Sequence, residues 1–245
     1  MNILLKSRGG SIHRSTQRTW ALKCGLLLLG LLLSFSASAS GSPDSSSDRA
    51  CPGSDVRVIA ADTRDFRDAC HGAQAAIAFF SAYGLQPTEP LVLEITPALP
   101  AEAGSTAVGC YLEQGKRVFM LPYAEFSRQK RWFNLPISRD IYRALAAHEV
   151  AHALPHCNFA VPRPTIQAKE YVAYVAMFAT MSPSLRARVL RALPGEGFSS
   201  EDKITAIFYM FEPMRFGAES YRHFIKPENG PTFLKSVLAG RALAD

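Results

Sequence analysis

The chain has 245 residues, of which 27 are basic and 21 are acidic, and 48% are hydrophobic. This length is enough to bury the core of one domain. Five of the basic residues and none of the acidic ones lie in the first 39 positions; they are Lys6, Arg8, Arg14, Arg18 and Lys23. Without them 22 basic residues stand against 21 acidic ones. This balance argues against a nucleic-acid-binding protein and against binding to an anionic membrane surface.

The first 39 residues have the order of a secretory signal peptide. A basic stretch is followed by an apolar run from Gly25 to Leu33, and small residues with an Ala-x-Ala pattern end at Ala39. Cleavage is expected after Ala39, which makes the protein exported, either periplasmic or secreted. A membrane anchor is the less favoured alternative, because about 20 apolar residues are needed to span a bilayer. We expect no stable membrane span after removal of the leader.

Residues 40–50 are polar and Ser-rich, which predicts a flexible tether before a single domain at 51–245. Four cysteines fall within that domain, and in an exported protein an even number at wide spacing indicates two disulfides. Three pairings are open. We favour Cys51 with Cys70 and Cys110 with Cys157.

The first part of the domain combines strands with one long helix. Strands are predicted at 56–60 and 91–96, with a hairpin at 107–114 and 117–121 at the edge of the sheet. The helix runs from Asp62 or Thr63 to Gly84.

The rest is predicted to be helical. A short helix covers 124–132, and a longer one runs from Arg139 to Ala153, with Ser138 as its N-cap and Pro155 as its stop. A further helix runs from Ile166 to Met181, and shorter helices follow. The fold class is therefore α+β, with a small mixed sheet before a mostly helical part.

The sequence HEVAH lies in the helix that begins at Arg139. His148 and His152 are one helical turn apart, so their imidazoles can reach one metal ion. Glu149 lies beside that site, where a carboxylate can accept a proton from metal-activated water. The surrounding helix is almost wholly apolar, and buried polar side chains need partners. These residues therefore favour a zinc ion over two histidines placed by coincidence.

A catalytic zinc site needs a third protein ligand. The spacing of a metzincin would put it at position 158, which is Asn158, so that class is excluded. His156 could share the face of His152 only if the helix continued through Pro155, and it is the less favoured alternative. Glu170, 18 residues after His152 and early in the next helix, is the predicted ligand.

HEVAH followed by a glutamate in a second helix resembles the gluzincin branch of the zinc metallopeptidases. Over residues 117–178 the layout also resembles a group of uncharacterised bacterial exported proteins of metallopeptidase type. The resemblance implies a zincin-like fold with Zn²⁺ as cofactor and a peptide or protein as substrate. It also implies an edge strand, Arg117 to Leu121, that lies above the site and binds an extended peptide by strand addition.

The sequence departs from the family at one supporting position. Thermolysin-like enzymes place an aspartate four residues after the ligand glutamate to orient a histidine, and this chain has Tyr174 there. A tyrosine hydroxyl can accept the imidazole N–H, but with less charge. The donor that stabilises the oxyanion is left open among Tyr171, Tyr221, Arg222 and His223.

The sequence thus predicts an exported zinc-dependent peptidase with Glu149 as general base. A zinc-binding or peptide-binding protein that keeps the fold without catalysis is the alternative. A purely structural exported domain is the least favoured hypothesis.

Overall fold

A five-stranded mixed sheet forms the first part of the fold in the computed structural model, which describes residues 46–156 and 158–244. Its strands are β1 (Ser47–Ala50), β2 (Arg57–Ala60), β3 (Val92–Ile95), β4 (Gly109–Leu112) and β5 (Arg117–Met120). They lie in the order β1-β2-β3-β5-β4. The pairs β2–β3 and β3–β5 are parallel, and the two outer pairs are antiparallel. The described residues belong to one compact unit.

Strand β1 shortens the expected tether. Ser47 to Ala50 pair with β2, and Arg57 forms an ion pair with Asp48 across the two strands. A polar, serine-rich segment can thus serve as an exposed outer strand when its backbone finds a partner. The part of the predicted tether before Ser46 and the whole predicted leader lie outside the described residues.

The two edge strands of the sheet are β1 and β4. This order corrects the expectation that Arg117–Leu121 is an edge strand. Strand β5 lies between β3 and β4. Val118 and Met120 of β5 are fully buried, whereas all four residues of β4 are partly exposed. The apolar strand therefore takes the inner position, and the strand that starts with Gly109 takes the outer one.

Helix α1 (Thr63–Ser81) packs against α3 (Arg139–His156). Gly72 permits the close approach, because a Cβ there would lie 2.4 Å from the carbonyl oxygen of Arg143. At the start of both helices Arg139 and Arg143 form ion pairs with the buried Asp68, at 3.0 and 2.7 Å. These contacts fix α3 in the core.

The segment after Pro122 differs from the predicted helix at 124–132. Helix α2 covers only Tyr123–Ser127, and a two-stranded hairpin follows, with β6 (Arg131–Trp132) and β7 (Leu135–Pro136). Its two connecting residues, Phe133 and Asn134, have φ of 50° and 58°. Two positive φ values are typical of the tight turn that matches the twist of a hairpin.

Helix α3 continues through Pro155 to His156, past the predicted end at Ala153. Proline removes one helical hydrogen bond, the one to the carbonyl of Ala151, and in the last turn this loss is small. Asn158 then closes the helix end: its side chain donates to the Leu154 carbonyl and its backbone N–H to the Pro155 carbonyl, both at 2.7 Å.

Five more helices complete the fold, and α4 packs directly on α3. They are α4 (Ile166–Thr180), α5 (Pro183–Ala192), α6 (Ala206–Phe211), α7 (Pro213–Phe224) and α8 (Gly230–Leu238). The predicted α+β class with a small mixed sheet is confirmed. In the described ranges, no helix has the length and apolar character needed to cross a membrane.

Candidate metal centre

The two histidines of HEVAH converge on one point inside the protein. His148 and His152 project from the same face of α3, and their Nε2 atoms are 3.2 Å apart. Burial lowers the pKa of His148 well below its ordinary value, and His152 lowers it further. The pKa of His152 falls to about 4, through burial and then through Lys169. Both rings are therefore neutral at pH 7, the form that binds a metal ion.

Glu170 completes the cluster from the second turn of α4. The Thr165 side chain caps this helix by accepting the Ala168 N–H. The Glu170 Oε2 lies 3.6 Å from Nε2 of His148, and its Oε1 lies 3.6 Å from Nε2 of His152. All three donor atoms lie within 4.8 Å of one another. Donors at about 2.0 Å from a tetrahedral zinc ion are about 3.3 Å apart, so this set fits such an ion.

The carboxyl of Glu170 is short of hydrogen-bond partners. Its Oε2 is buried with no hydrogen-bond partner within the described ranges. The 3.6 Å contact with His148 is not an ion pair, because that imidazole is neutral. Burial raises the pKa of Glu170 to about 8, against the lowering effects of the Tyr209 hydroxyl and Lys169. An unsatisfied buried carboxyl beside two neutral imidazoles is the environment that a divalent cation would satisfy.

Glu149 is buried beside the cluster, on the side of α3 that faces β4. Its side chain packs against Gly109 of β4, where a Cβ would lie 2.6 Å from the Glu149 Cγ. Burial, and after it the neighbouring Glu170, raises the pKa of Glu149 well above its ordinary value. A carboxylate with a raised pKa is a stronger proton acceptor than one in water.

An open cavity of about 610 Å³ contains the cluster. Its floor is one face of α3, from Leu145 to Pro155. One wall is the start of β4, and another contains Tyr209 together with the first turn of α7. At 1.5 Å per helical residue the floor is about 15 Å long, the span of about four extended residues.

The backbone N–H and C=O of Gly109 point away from β5 at this wall of the cavity. The N–H of Leu121 donates to the Val108 carbonyl at 2.9 Å, so position 108 faces β5. In an antiparallel pair the next residue directs its N–H and C=O away from the partner strand. Gly109 therefore presents both backbone groups on the outer side of β4, where it lines the cavity.

Two residues of the site, Gly109 and Tyr209, are not indicated by the sequence. Gly109 belongs to no recognisable sequence motif, and its role is visible only from its contact with Glu149. Tyr209 lies in an apolar stretch of α6, and its hydroxyl lies beside the Glu170 carboxyl. Both contacts join residues that are distant in the sequence, so no local pattern could have indicated them.

Of the tyrosines and the histidine expected as supporting groups, Tyr174 lies at the cavity and the other three do not. Tyr174 lines the cavity, and its ring packs on the His148 ring with 4.5 Å between centroids. The Nδ1 of His148 has no hydrogen-bond partner in the described part of the chain. Tyr171 and His223 are bonded to each other at 2.8 Å, and Tyr221 stacks on Phe178; none of the three lines the cavity.

The predicted disulfide between Cys51 and Cys70 is confirmed, and it ties the segment after β1 to α1. Such a bond is consistent with export. Cys110 has a free thiol in the structure, whose pKa is raised to about 11 by burial and then by Glu149 and Glu102. Cys157 and the side chain of His156 lie outside the described residues, so the second disulfide and the alternative ligand stay predictions.

Comparison with known proteins gives a family without a function. No protein with a curated function matches the chain, and no solved structure does. One family matches residues 56–245, which include the three candidate metal ligands, the cavity and the sheet from β2 onward. The chain belongs to this family of unknown function, DUF6639.

Proposed function

We propose that this protein is an exported zinc-dependent peptidase of gluzincin type. The observation that carries the proposal is the convergence of His148, His152 and Glu170 on one point at the floor of an open cavity. Glu149 lies in the same cavity without belonging to the ligand set. A purely structural domain would not need buried polar donors with spacings suited to zinc.

The chemistry follows from the placement of these side chains. A zinc ion bound there would supply Lewis acidity toward a water molecule and a carbonyl. Glu149 accepts a proton from the water as the water oxygen adds to the carbonyl carbon. It then delivers that proton to the leaving amine as the C–N bond breaks.

The β4 edge supports a peptide as substrate. An extended peptide can add to an edge strand through main-chain hydrogen bonds, and Gly109 offers an N–H and a C=O beside Glu149. The floor of the cavity has room for about four extended residues alongside such a contact. This geometry also favours an active enzyme over a silent zinc-binding protein, because the cavity is open along β4 rather than blocked.

The decisive experiment combines metal analysis with turnover. The mature protein and its Glu149→Gln variant are tested for bound zinc and for cleavage of a mixed peptide library. We expect about one zinc per chain in both proteins and cleavage by the native protein alone. Zinc without cleavage would support the zinc-binding alternative, and no zinc in either protein would refute both.

A further inference from the structure

The residue Tyr209 has a place in the cavity that no sequence motif indicates. It lies in α6, whose N-cap Thr205 accepts the Phe208 N–H at 3.1 Å. Its ring packs edge-on against the fully buried Phe216 of α7, with 5.5 Å between centroids. The ring is thus anchored on α7 while the hydroxyl reaches Glu170.

The hydroxyl of Tyr209 lies near both carboxyl groups of the site. Tyr209 lines the same cavity as Glu170 and Glu149, and its hydroxyl lies beside the Glu170 carboxyl. The phenol is uncharged at neutral pH, so its O–H can donate a hydrogen bond into the cavity. A neutral donor beside the proton acceptor is what a developing oxyanion requires.

Tyr171, His223 and Arg222 are engaged away from the cavity, whereas Tyr174 lines it. Tyr171 is bonded to His223, away from the cavity. Arg222 donates to Glu219 at 3.1 Å and to the carbonyls of Leu190 and Leu193, both at 2.7 Å. Tyr174 meets the ligand His148 through its ring.

We propose that Tyr209 is a catalytic residue whose phenol O–H donates a hydrogen bond to the oxyanion of the substrate. The proposal rests on the proposed peptidase function. When water adds to the carbonyl carbon, the new C–O bond forms and the π electron pair moves onto the carbonyl oxygen. The proton of the water goes to Glu149, and Tyr209 keeps its own proton while its O–H donates a hydrogen bond to that oxygen.

The test compares Tyr209→Phe with the native protein in three measurements. These are the zinc Kd by competition with a chromophoric chelator, kcat and KM on a cleaved library peptide, and the affinity for a phosphonamidate dipeptide. The phosphonamidate is tetrahedral and anionic, so it resembles the adduct rather than the substrate. We expect zinc Kd and KM within about threefold of native values, while kcat falls about 10²-fold to 10³-fold. The affinity for the phosphonamidate should fall by a similar factor.

Two controls separate this role from its alternatives. Tyr171→Phe removes a buried hydroxyl outside the cavity and should change none of the three measurements. Tyr174→Phe should lose less of kcat than Tyr209→Phe, and the reverse ranking would overturn the assignment.

Other results are equally informative. A native kcat in Tyr209→Phe would overturn the proposal and leave the peptidase function intact. A zinc Kd raised more than about tenfold, with native kcat and phosphonamidate affinity at saturating zinc, would reduce Tyr209 to a positioning residue for Glu170. A native protein that cleaves nothing refutes the peptidase function itself, and with it the role of Tyr209.

Discussion

At the scale of single residues, the absence of a side chain at Gly109 is as important as the presence of one at Glu149. The two residues are in contact, and a methyl group at position 109 would need the space that the Glu149 carboxylate occupies. Strand β4 therefore determines where the proposed general base can lie. Only hydrogen at this position lets the strand and Glu149 both lie close to the candidate metal ligands.

We predict that Gly109→Ala loses activity and keeps its metal. The backbone of Gly109 is that of an ordinary strand, so alanine is compatible with the fold, but its Cβ must displace the Glu149 side chain. A displacement of about 1 Å at a catalytic group can cost about 10²-fold in rate. We expect such a fall in kcat, with zinc Kd within about threefold of native.

The matched control is Leu112→Ala on the same strand, at a position that does not line the cavity. The double variant Gly109→Ala with Glu149→Asp should recover part of the activity, because the shorter aspartate side chain leaves room for the new methyl group. Full activity in Gly109→Ala would show that Glu149 is not the base or that it moves freely.

The residues that could be predicted from the sequence are those that a helical period brings together. His148, Glu149 and His152 follow from spacing on one helix, and Glu170 follows from the chain reversal after it. Gly109 and Tyr209 could not be predicted, because their contacts depend on how β4 and α6 pack against α3 and α4.

At the scale of elements, local capping chemistry was predictable and pairing was not. Asp62 caps α1 by accepting the N–H groups of Arg64 and Asp65 at 2.7 and 2.8 Å, as its position before the helix indicated. The position of β5 inside the sheet depends on pairing with β3, a strand distant in sequence. The hairpin β6–β7 and the helical Pro155 are local features, but the helical pattern and the proline indicated the opposite.

We predict that Asp62→Ala destabilises the protein by about 1 kcal/mol, the usual cost of losing an N-cap. These hydrogen bonds lower the pKa of Asp62 in the folded state, chiefly through the Asp65 N–H. Its stabilising effect is therefore present above the unfolded pKa near 3.8 and is lost as the pH falls through the folded pKa. Urea unfolding between about pH 2 and pH 7 measures this dependence.

Asp62→Asn is the control for charge, since asparagine keeps the cap without titrating. It should lie close to native in stability at pH 7 and lack this acid-dependent loss. Equal acid sensitivity in native protein and Asp62→Asn would assign the loss to other carboxylates.

At the scale of the whole molecule, one disulfide joins the strand side of the fold to the helix that packs on α3. Cys51 and Cys70 are 19 residues apart. Closing a loop of this length lowers the entropy of the unfolded chain by the equivalent of about 3 kcal/mol. We predict that reduction with dithiothreitol removes this stabilisation and lowers the Tm in a thermal melt.

A double variant, Cys51→Ala with Cys70→Ala, gives the comparison. If this is the one disulfide present, the variant melts at the same temperature with and without reductant. A further fall in Tm on reduction would reveal a second disulfide, for which Cys110 with Cys157 is the predicted pair. A native protein whose Tm does not change with reductant would contradict the stabilising role of the first.

Helix α6 contributes no buried residue to the core, and its side chains Ile207, Met210 and Phe211 are 65%, 63% and 82% exposed. Segments with so little burial open locally at low free-energy cost. We predict that backbone amides of α6 exchange with deuterium orders of magnitude faster than those of α3 between Leu145 and Ala153, and that the phosphonamidate slows α6 selectively. Equal exchange in both helices would contradict this. On this prediction the proposed metal ligands lie on stable helices of the core, and the wall that contains Tyr209 can open locally for a substrate without disturbing them.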